Sequence, residues 1–264
     1  MRRAMEGARE REPARFAALA AADPRVLALV IAEITSGETC FFREPAQLDW
    51  LRRAVLPRFE ARRRAGQPPR LWSAGCATGE EAYSLAILVR EAGWADRAMV
   101  LGTDVARPRL EAARRARYGR WSLRAVPEEM VARWFTRRGA HFRVVPRIRD
   151  AVTFRDHNLA AGDWPGGDSG IADMDVVLCR HVLVYLDPPT MLAVAERLLR
   201  TLAPEGWLLV GASDPALHEL VSCEVVTTGA GVAYRRAAER ASGASATFHP
   251  TLPAATTPSG GPAA

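Results

Sequence analysis

The sequence contains no lysine, and arginine supplies all 36 of its Lys and Arg positions. This absence excludes a phosphate-binding loop of the GxxxxGKS or GxxxxGKT type, because that loop needs a lysine beside the phosphates. The formal net charge of +6 mildly favours acidic partners. GC-rich codon usage also enriches arginine, so its abundance is weak support for nucleic-acid binding, and we expect no nucleic-acid partner.

Cysteine and histidine are scarce, and long apolar runs are missing. The four cysteines form no CxxC pair and the five histidines show no metal-ligand spacing, so the sequence predicts neither a disulfide framework nor a metal site. No apolar run approaches the ~20 residues of a membrane-spanning helix. The charged N-terminus lacks the apolar core of a signal peptide. We therefore expect a cytoplasmic protein without membrane insertion.

Length and composition fit one sizeable α/β domain with a small appendage. Hydrophobic residues make up 48% and charged residues 25% of the 264 positions, which is ordinary for a globular protein. We expect a short N-terminal helical region over residues 1–61 and an α/β domain over residues 62–237. Alternating apolar residues over His141–Phe154 predict a small antiparallel insertion. Residues 238–264 lack core material and are expected to form a disordered tail.

The stretch Leu71–Ser84 predicts a strand, a glycine turn and the start of a helix. Gly75 and Gly79 permit turn conformations that side chains resist, and such a unit holds nucleosides in doubly wound α/β folds. The spacing is GxxxG rather than the GxGxxG of dinucleotide sites, so a ligand without phosphates, such as S-adenosylmethionine, suits it better. Asp104 ends the predicted second strand, where a carboxylate can accept hydrogen bonds from a ribose diol. The alternative is that Asp104 caps the following helix.

Polar residues follow two other predicted strands. The apolar strand Asp175–Cys179 runs into Arg180, His181 and Tyr185, and another strand ends in Asp156–Leu159. Ligands in open α/β sheets bind beyond the carboxyl ends of the strands, so these residues are candidates by position. For Asp156–Leu159 the alternative is simple turn chemistry.

A non-repetitive stretch between two predicted helices, Thr35–Pro45, contains the adjacent residues Phe41 and Phe42. Two phenylalanines beside an arginine and two threonines are unusual for a solvated loop. They either anchor the loop to the core or help to form a ligand site, and the residues alone leave both interpretations open.

Three segments together resemble the signatures of the CheR family, the chemotaxis-receptor glutamate methyltransferases. They are Thr39–Pro45, Trp72–Ser84 and Cys179–Asp187, and the likeness extends roughly over residues 24–236. The resemblance implies an α/β, Rossmann-like methyltransferase domain that uses S-adenosylmethionine. It also implies a small antiparallel β-subdomain at about residues 138–155 and an N-terminal helical region over the cofactor. It also implies methyl transfer to glutamate side chains on the cytoplasmic helical bundle of chemoreceptors.

The resemblance further implies a set of site residues. Arg43 and Tyr185 are the expected catalytic residues, with Tyr185 close to the sulfonium. The residues expected to bind the cofactor are Gly37, Thr39, Arg43, Gly75, Glu80, Asp104, Asn158, Leu159, Arg180 and His181. Of these, Glu80 is expected near the methionine end, Asp104 at the ribose, and Asn158 and Leu159 beside the adenine.

The sequence departs from the family pattern at three places. The family usually has Asn where Gly37 and His181 stand, and a GHSE-like run where Gly211–Asp214 stands. The segment Arg137–Arg143 is too short for the loop with which some members hold a receptor's C-terminal peptide, so we expect docking without that tether. Two alternatives therefore stay open: a degenerate S-adenosylmethionine-binding regulatory module, and a methyltransferase for another acidic protein or a small molecule.

Overall fold

The computed structural model describes residues 2–23, 26, 30, 33, 38–60, 65–94, 98–162, 164–166 and 169–237. Most of residues 24–37, including the site candidate Gly37, and the predicted tail over residues 238–264 lie outside these residues. Within the described part of the chain, no helix is long and apolar enough to cross a membrane.

Helices and strands alternate through most of the described chain. The helices are α1 (Arg2–Gly7), α2 (Pro13–Ala22), α3 (Pro45–Trp50), α4 (Glu80–Glu91), α5 (Arg107–Arg115), α6 (Glu128–Trp134), α7 (Pro146–Arg149) and α8 (Pro188–Arg200). The strands are β1 (Arg70–Ala74), β2 (Met99–Asp104), β3 (Arg117–Gly119), β4 (Phe135–Arg138), β5 (His141–Val144), β6 (Val152–Asp156), β7 (Met174–Cys179), β8 (Leu202–Val210), β9 (Cys223–Thr228) and β10 (Gly231–Arg236).

Seven strands form the central sheet in the order β6-β2-β1-β7-β8-β10-β9. The first five of these run parallel, and β10 pairs antiparallel with both β8 and β9. Every residue of β7 is buried, as its continuous apolar run predicts. The chain builds β2 and β6 on one side of β1 and then crosses to β7 on the other, so the order reverses between β1 and β7. Such a switch point is where an open α/β sheet binds its ligand.

The predicted strand–turn–helix unit is present, and packing accounts for its two glycines. Gly75 and Gly79 have φ values of 78° and 94°, which side chains resist. A Cβ on Gly79 would lie 2.8 Å from the Cβ of Ala113 in α5, and one on Gly75 would lie 2.5 Å from Cγ2 of Val182. The turn therefore draws α4 close to α5 and to the loop after β7.

A second, three-stranded antiparallel sheet has the order β3-β5-β4. The subdomain range of about 138–155 was wrong at both ends: Arg117–Gly119 belongs to this small sheet, whereas Val152–Asp156 pairs parallel with β2 in the central sheet. Alternating apolar residues predict a half-buried strand but do not say which sheet it joins. Pro146 also opens α7, which separates the two stretches.

The segment before β1 folds back onto the domain. Helix α3 continues through a wider helical turn at Leu51–Val55 and a tighter one at Leu56–Phe59. Phe41 is fully buried, with its ring edge-on to Tyr118 and Phe135 at 4.8 Å in each case. The phenylalanine pair therefore does anchor the loop to the core, and this anchoring brings the neighbouring polar residues to the switch point.

Candidate functional site

A cavity of about 330 Å³ lies at the carboxyl ends of the parallel strands, and its volume is within the usual range of small-molecule sites. Most of the predicted site residues line it. They are Thr39, Arg43, Gly75, Asp104, Asn158, Leu159, Arg180, His181 and Tyr185. Glu80 does not line it, and Gly37 lies outside the described residues. Among the other polar residues that line it, His157 lies in the predicted candidate stretch Asp156–Leu159, whereas Glu38, Glu81, Arg109 and Ser213 were not predicted as site residues.

Asp104 is nearly buried at the end of β2, and the backbone holds its carboxylate in place. Oδ2 accepts a hydrogen bond from the Ala77 N–H and Oδ1 one from the Ala106 N–H, both at 2.8 Å. The helix-cap alternative is wrong, because the N-cap residue of α5 is Ala106 and no side chain caps that helix. Each carboxylate oxygen has a second lone pair, so the fixed carboxylate can still accept hydrogen bonds from a diol.

The two adjacent glutamates at the start of α4 point in different directions. Glu80 is 2% exposed and accepts hydrogen bonds from Thr78 Oγ1 at 2.6 Å and Ser122 Oγ at 3.1 Å. Burial raises the pKa of the Glu80 carboxyl above its ordinary value. Glu81, by contrast, lines the cavity. Neighbouring residues on a helix are about 100° apart, so the two side chains point in different directions, and Glu81 is the one that faces the cavity.

Arg180 lies in the cavity wall, where most of its donors are used within the protein. Its side chain is 1% exposed, and Nε lies 2.6 Å from Glu81 Oε2. One terminal nitrogen donates to the Arg43 carbonyl oxygen at 2.7 Å and approaches Gln47 Oε1 at 3.4 Å. Ser73 Oγ donates to the other oxygen of Glu81 at 2.6 Å. Arg180 therefore ties the Arg43–Gln47 segment to α4 and the central sheet.

His181 has a left-handed backbone, with φ of 57°. Asn, Asp and His adopt this conformation more readily than other side chains, so the histidine fits a position where the family usually has Asn. Asp214 fixes the turn by accepting hydrogen bonds from the N–H groups of His181, Val182 and Gly211. The departure at His181 is therefore compatible with the backbone of the site.

Arg43 and Tyr185 both line the cavity. Arg43 donates one hydrogen bond to the Glu38 carbonyl oxygen at 2.8 Å. Among the described residues, no carboxylate lies within ion-pair distance of its guanidinium. Tyr185 is 51% exposed in the tight turn Leu183–Tyr185. As far as the described residues show, the cavity thus presents the Arg43 cation without an acidic partner, together with a phenol that solvent reaches.

The loop after β6 forms a more apolar wall. Leu159 is buried, and Asn158 Oδ1 accepts a hydrogen bond from the Ala160 N–H at 3.0 Å. Burial lowers the pKa of His157, which favours its neutral form. Its Nε2 is buried without a hydrogen-bond partner in the described part of the chain. A flat base with polar edges suits a wall of this kind.

The cavity combines a carboxylate for a diol, an apolar wall for a base and an acidic side chain at the glycine turn. Together these features fit S-adenosylmethionine. Within the described ranges, no group of three or more His, Cys, Asp or Glu side chains could hold a metal ion. The fold and cavity are those of a Rossmann-like, S-adenosylmethionine-dependent methyltransferase.

Residues 37–228 match the model of the family described as CheR methyltransferase, SAM binding domain, and the chain belongs to that family. Chemotaxis protein methyltransferase 2 of Pseudomonas aeruginosa is 33% identical over 202 residues, covering 74% of this chain and 69% of that protein. The probable biofilm formation methyltransferase WspC of the same organism is 31% identical, over 84% of this chain and 52% of that protein. A TehB-like SAM-dependent methyltransferase from Corynebacterium glutamicum covers 86% of this chain and 100% of its own, at 12% identity and a TM-score of 0.42.

Proposed function

We propose that the protein transfers methyl groups from S-adenosylmethionine to glutamate side-chain carboxylates on the cytoplasmic helical bundle of chemoreceptors. The observation that carries this proposal is the guanidinium of Arg43, which lines the cavity without an acidic partner among the described residues. An arginine in this position is suited to bind an incoming carboxylate, because its planar fork matches carboxylate geometry. The printed name of the chemotaxis relative supports the same substrate class.

The reaction requires little acid–base catalysis by the protein. S-adenosylmethionine supplies a methyl group activated by its positively charged sulfur. A glutamate carboxylate is already ionised at neutral pH and needs no general base. Arg43 orients that carboxylate, and Tyr185 either donates a hydrogen bond to it or forms a wall beside the methyl group. The protein contributes alignment and partial exclusion of water.

The remaining site residues hold the cofactor in this proposal. Asp104 accepts hydrogen bonds from the ribose diol, and Asn158 and Leu159 flank the adenine. Thr39 lies near the reacting centre. We assign the place at the methionine end of the cofactor to Glu81 rather than to Glu80, because Glu81 is the member of the pair that lines the cavity.

The substrate is proposed to dock without a C-terminal peptide tether, since only two residues separate β4 from β5. The competing candidate is a regulatory module that binds S-adenosylmethionine and methylates no receptor. It is favoured by the departures at Gly37 and His181, and the left-handed backbone that His181 tolerates weakens the second of these arguments. A biofilm-associated relative leaves the signalling pathway open as well.

Incubation with methyl-labelled S-adenosylmethionine and receptor cytoplasmic fragments tests the proposal. Base-labile label is expected on fragments whose acceptor sites are Glu and is not expected when those sites are Gln. Arg43→Ala should abolish most of the transfer, whereas Arg53→Ala serves as a matched control, because Arg53 is 72% exposed and pairs with Asp49. Cofactor binding with no transfer to any fragment would support the regulatory module instead.

A further inference from the structure

The imidazole of His181 bridges two segments at the cavity. Nδ1 lies 2.7 Å from Ser213 Oγ, in the loop after β8. On the other side, Nε2 lies 2.6 Å from Glu44 Oε1, although it is not aligned as a hydrogen bond. Glu44 Oε1 also accepts a hydrogen bond from the Ala212 N–H at 3.2 Å. We call His181, Glu44 and Ser213 the clasp.

The backbone conformation around Arg43 is held by contacts from neighbouring segments. Phe42 and Glu44, the residues on either side, both have φ of 53°, in the left-handed region. Non-glycine residues keep that conformation only where the surrounding structure enforces it. Phe42 is held by a hydrogen bond from its N–H to Ser84 Oγ at 2.9 Å, and the Arg43 carbonyl is held by Arg180. The clasp supplies the corresponding restraint on Glu44 through Oε1, and the other carboxylate oxygen, Oε2, lies 3.7 Å from a terminal nitrogen of Arg180.

We propose that His181 is a positioning residue for methyl transfer: it holds Glu44 and thereby places the neighbouring Arg43 at the cavity. This inference rests on the function proposed above for Arg43. His181 acts through Glu44 and is not required to touch the substrate.

The space around residue 181 accommodates a histidine side chain. A Cβ on Gly211 would lie only 2.8 Å from His181 Nε2, so a glycine at that position leaves space for the ring. An asparagine at 181 tolerates the same backbone. Its amide reaches about as far as Nδ1 of a histidine, toward Ser213, and stops short of the Nε2 position beside Glu44. His181→Asn therefore removes one contact of the clasp and keeps the other.

The test compares His181→Asn with the intact chain in receptor methylation, S-adenosylhomocysteine binding and amide hydrogen exchange. We expect turnover to fall about ten-fold on loss of the contact between the imidazole and the Glu44 carboxylate, while the dissociation constant of S-adenosylhomocysteine changes by less than about two-fold. Exchange should become faster in peptides covering residues 42–47. His218→Asn, at an exposed histidine outside the cavity lining, should change none of these.

Glu44→Gln completes the test as a double-variant cycle. If the clasp is correct, Glu44→Gln reproduces the loss of turnover, and the double variant is no worse than either single variant. Equal losses in turnover and affinity, unchanged exchange over residues 42–47, or fully additive effects would each overturn the proposal. If the intact chain methylates no receptor fragment, the function proposed above fails, and hydrogen exchange still decides whether His181 holds the Arg43 loop.

Discussion

Replacing Arg180 by methionine should destabilise the protein strongly, because Arg180 joins three parts of the site. Its side chain is 1% exposed and that of Glu81 is 13% exposed, with Nε and Oε2 2.6 Å apart. Removing one member of a buried ion pair leaves the other charge without compensation and costs about 3–5 kcal/mol. In a domain of this size, each kcal/mol lowers the melting temperature by about 2–4 °C, so a fall of roughly 6–20 °C is expected.

Thermal and urea unfolding followed by circular dichroism would measure the effect. Arg107→Met is the control, since Arg107 is 77% exposed and its pair with Asp156 should contribute no more than about 1 kcal/mol. Adding Glu81→Gln to Arg180→Met removes the stranded charge and should recover part of the lost stability. If Arg180→Met were as mild as Arg107→Met, the idea that this ion pair fastens the Arg43–Gln47 segment would be refuted.

Further substitutions test the other residues. Arg43→Ala should lower turnover about 100-fold while cofactor affinity changes little, and equal losses in rate and binding assays would contradict its role in orienting the substrate. Asp104→Asn should weaken S-adenosylhomocysteine binding about 10- to 100-fold by calorimetry, and unchanged affinity would remove Asp104 from the ribose site. Burial raises the pKa of Glu80, so its contribution to stability is present below the ordinary glutamate pKa and is lost as pH rises through the raised value. Glu80→Gln should therefore show a smaller fall in unfolding free energy between about pH 4 and pH 8, and an unchanged fall would be contrary evidence. Gly79→Ala should cost about 1–3 kcal/mol in urea unfolding, because φ is 94° and the new Cβ would meet Ala113 at 2.8 Å; a neutral result would mean that the turn relaxes.

Local chemistry explains why part of this fold could be predicted from sequence. Glycines at 75 and 79 followed by helical periodicity define the strand–turn–helix unit, and Asp104 at a strand end predicts a carboxylate at the sheet edge. Thr39–Pro45, Trp72–Ser84 and Cys179–Asp187 together resemble the signatures of the CheR family. The family match over residues 37–228 confirms that interpretation.

Other features depend on contacts that sequence patterns do not specify. The choice between Glu80 and Glu81 depends on how α4 is rotated against Ser122 and Arg180, which are distant in the chain. The assignment of Val152–Asp156 to the central sheet depends on its partner strand and not on its alternation. The left-handed backbone at His181 is likewise set by Asp214 from another loop.

The central claim is that the cavity transfers methyl groups to receptor glutamates. The most direct measurement is peptide mass spectrometry of a receptor cytoplasmic fragment after incubation with the protein and S-adenosylmethionine. We expect methyl esters on specific glutamates, which are lost on mild base treatment and nearly absent with Arg43→Ala. Cofactor binding without any methylated glutamate, or methyl groups that are stable to base and attached to other residue types, would contradict it.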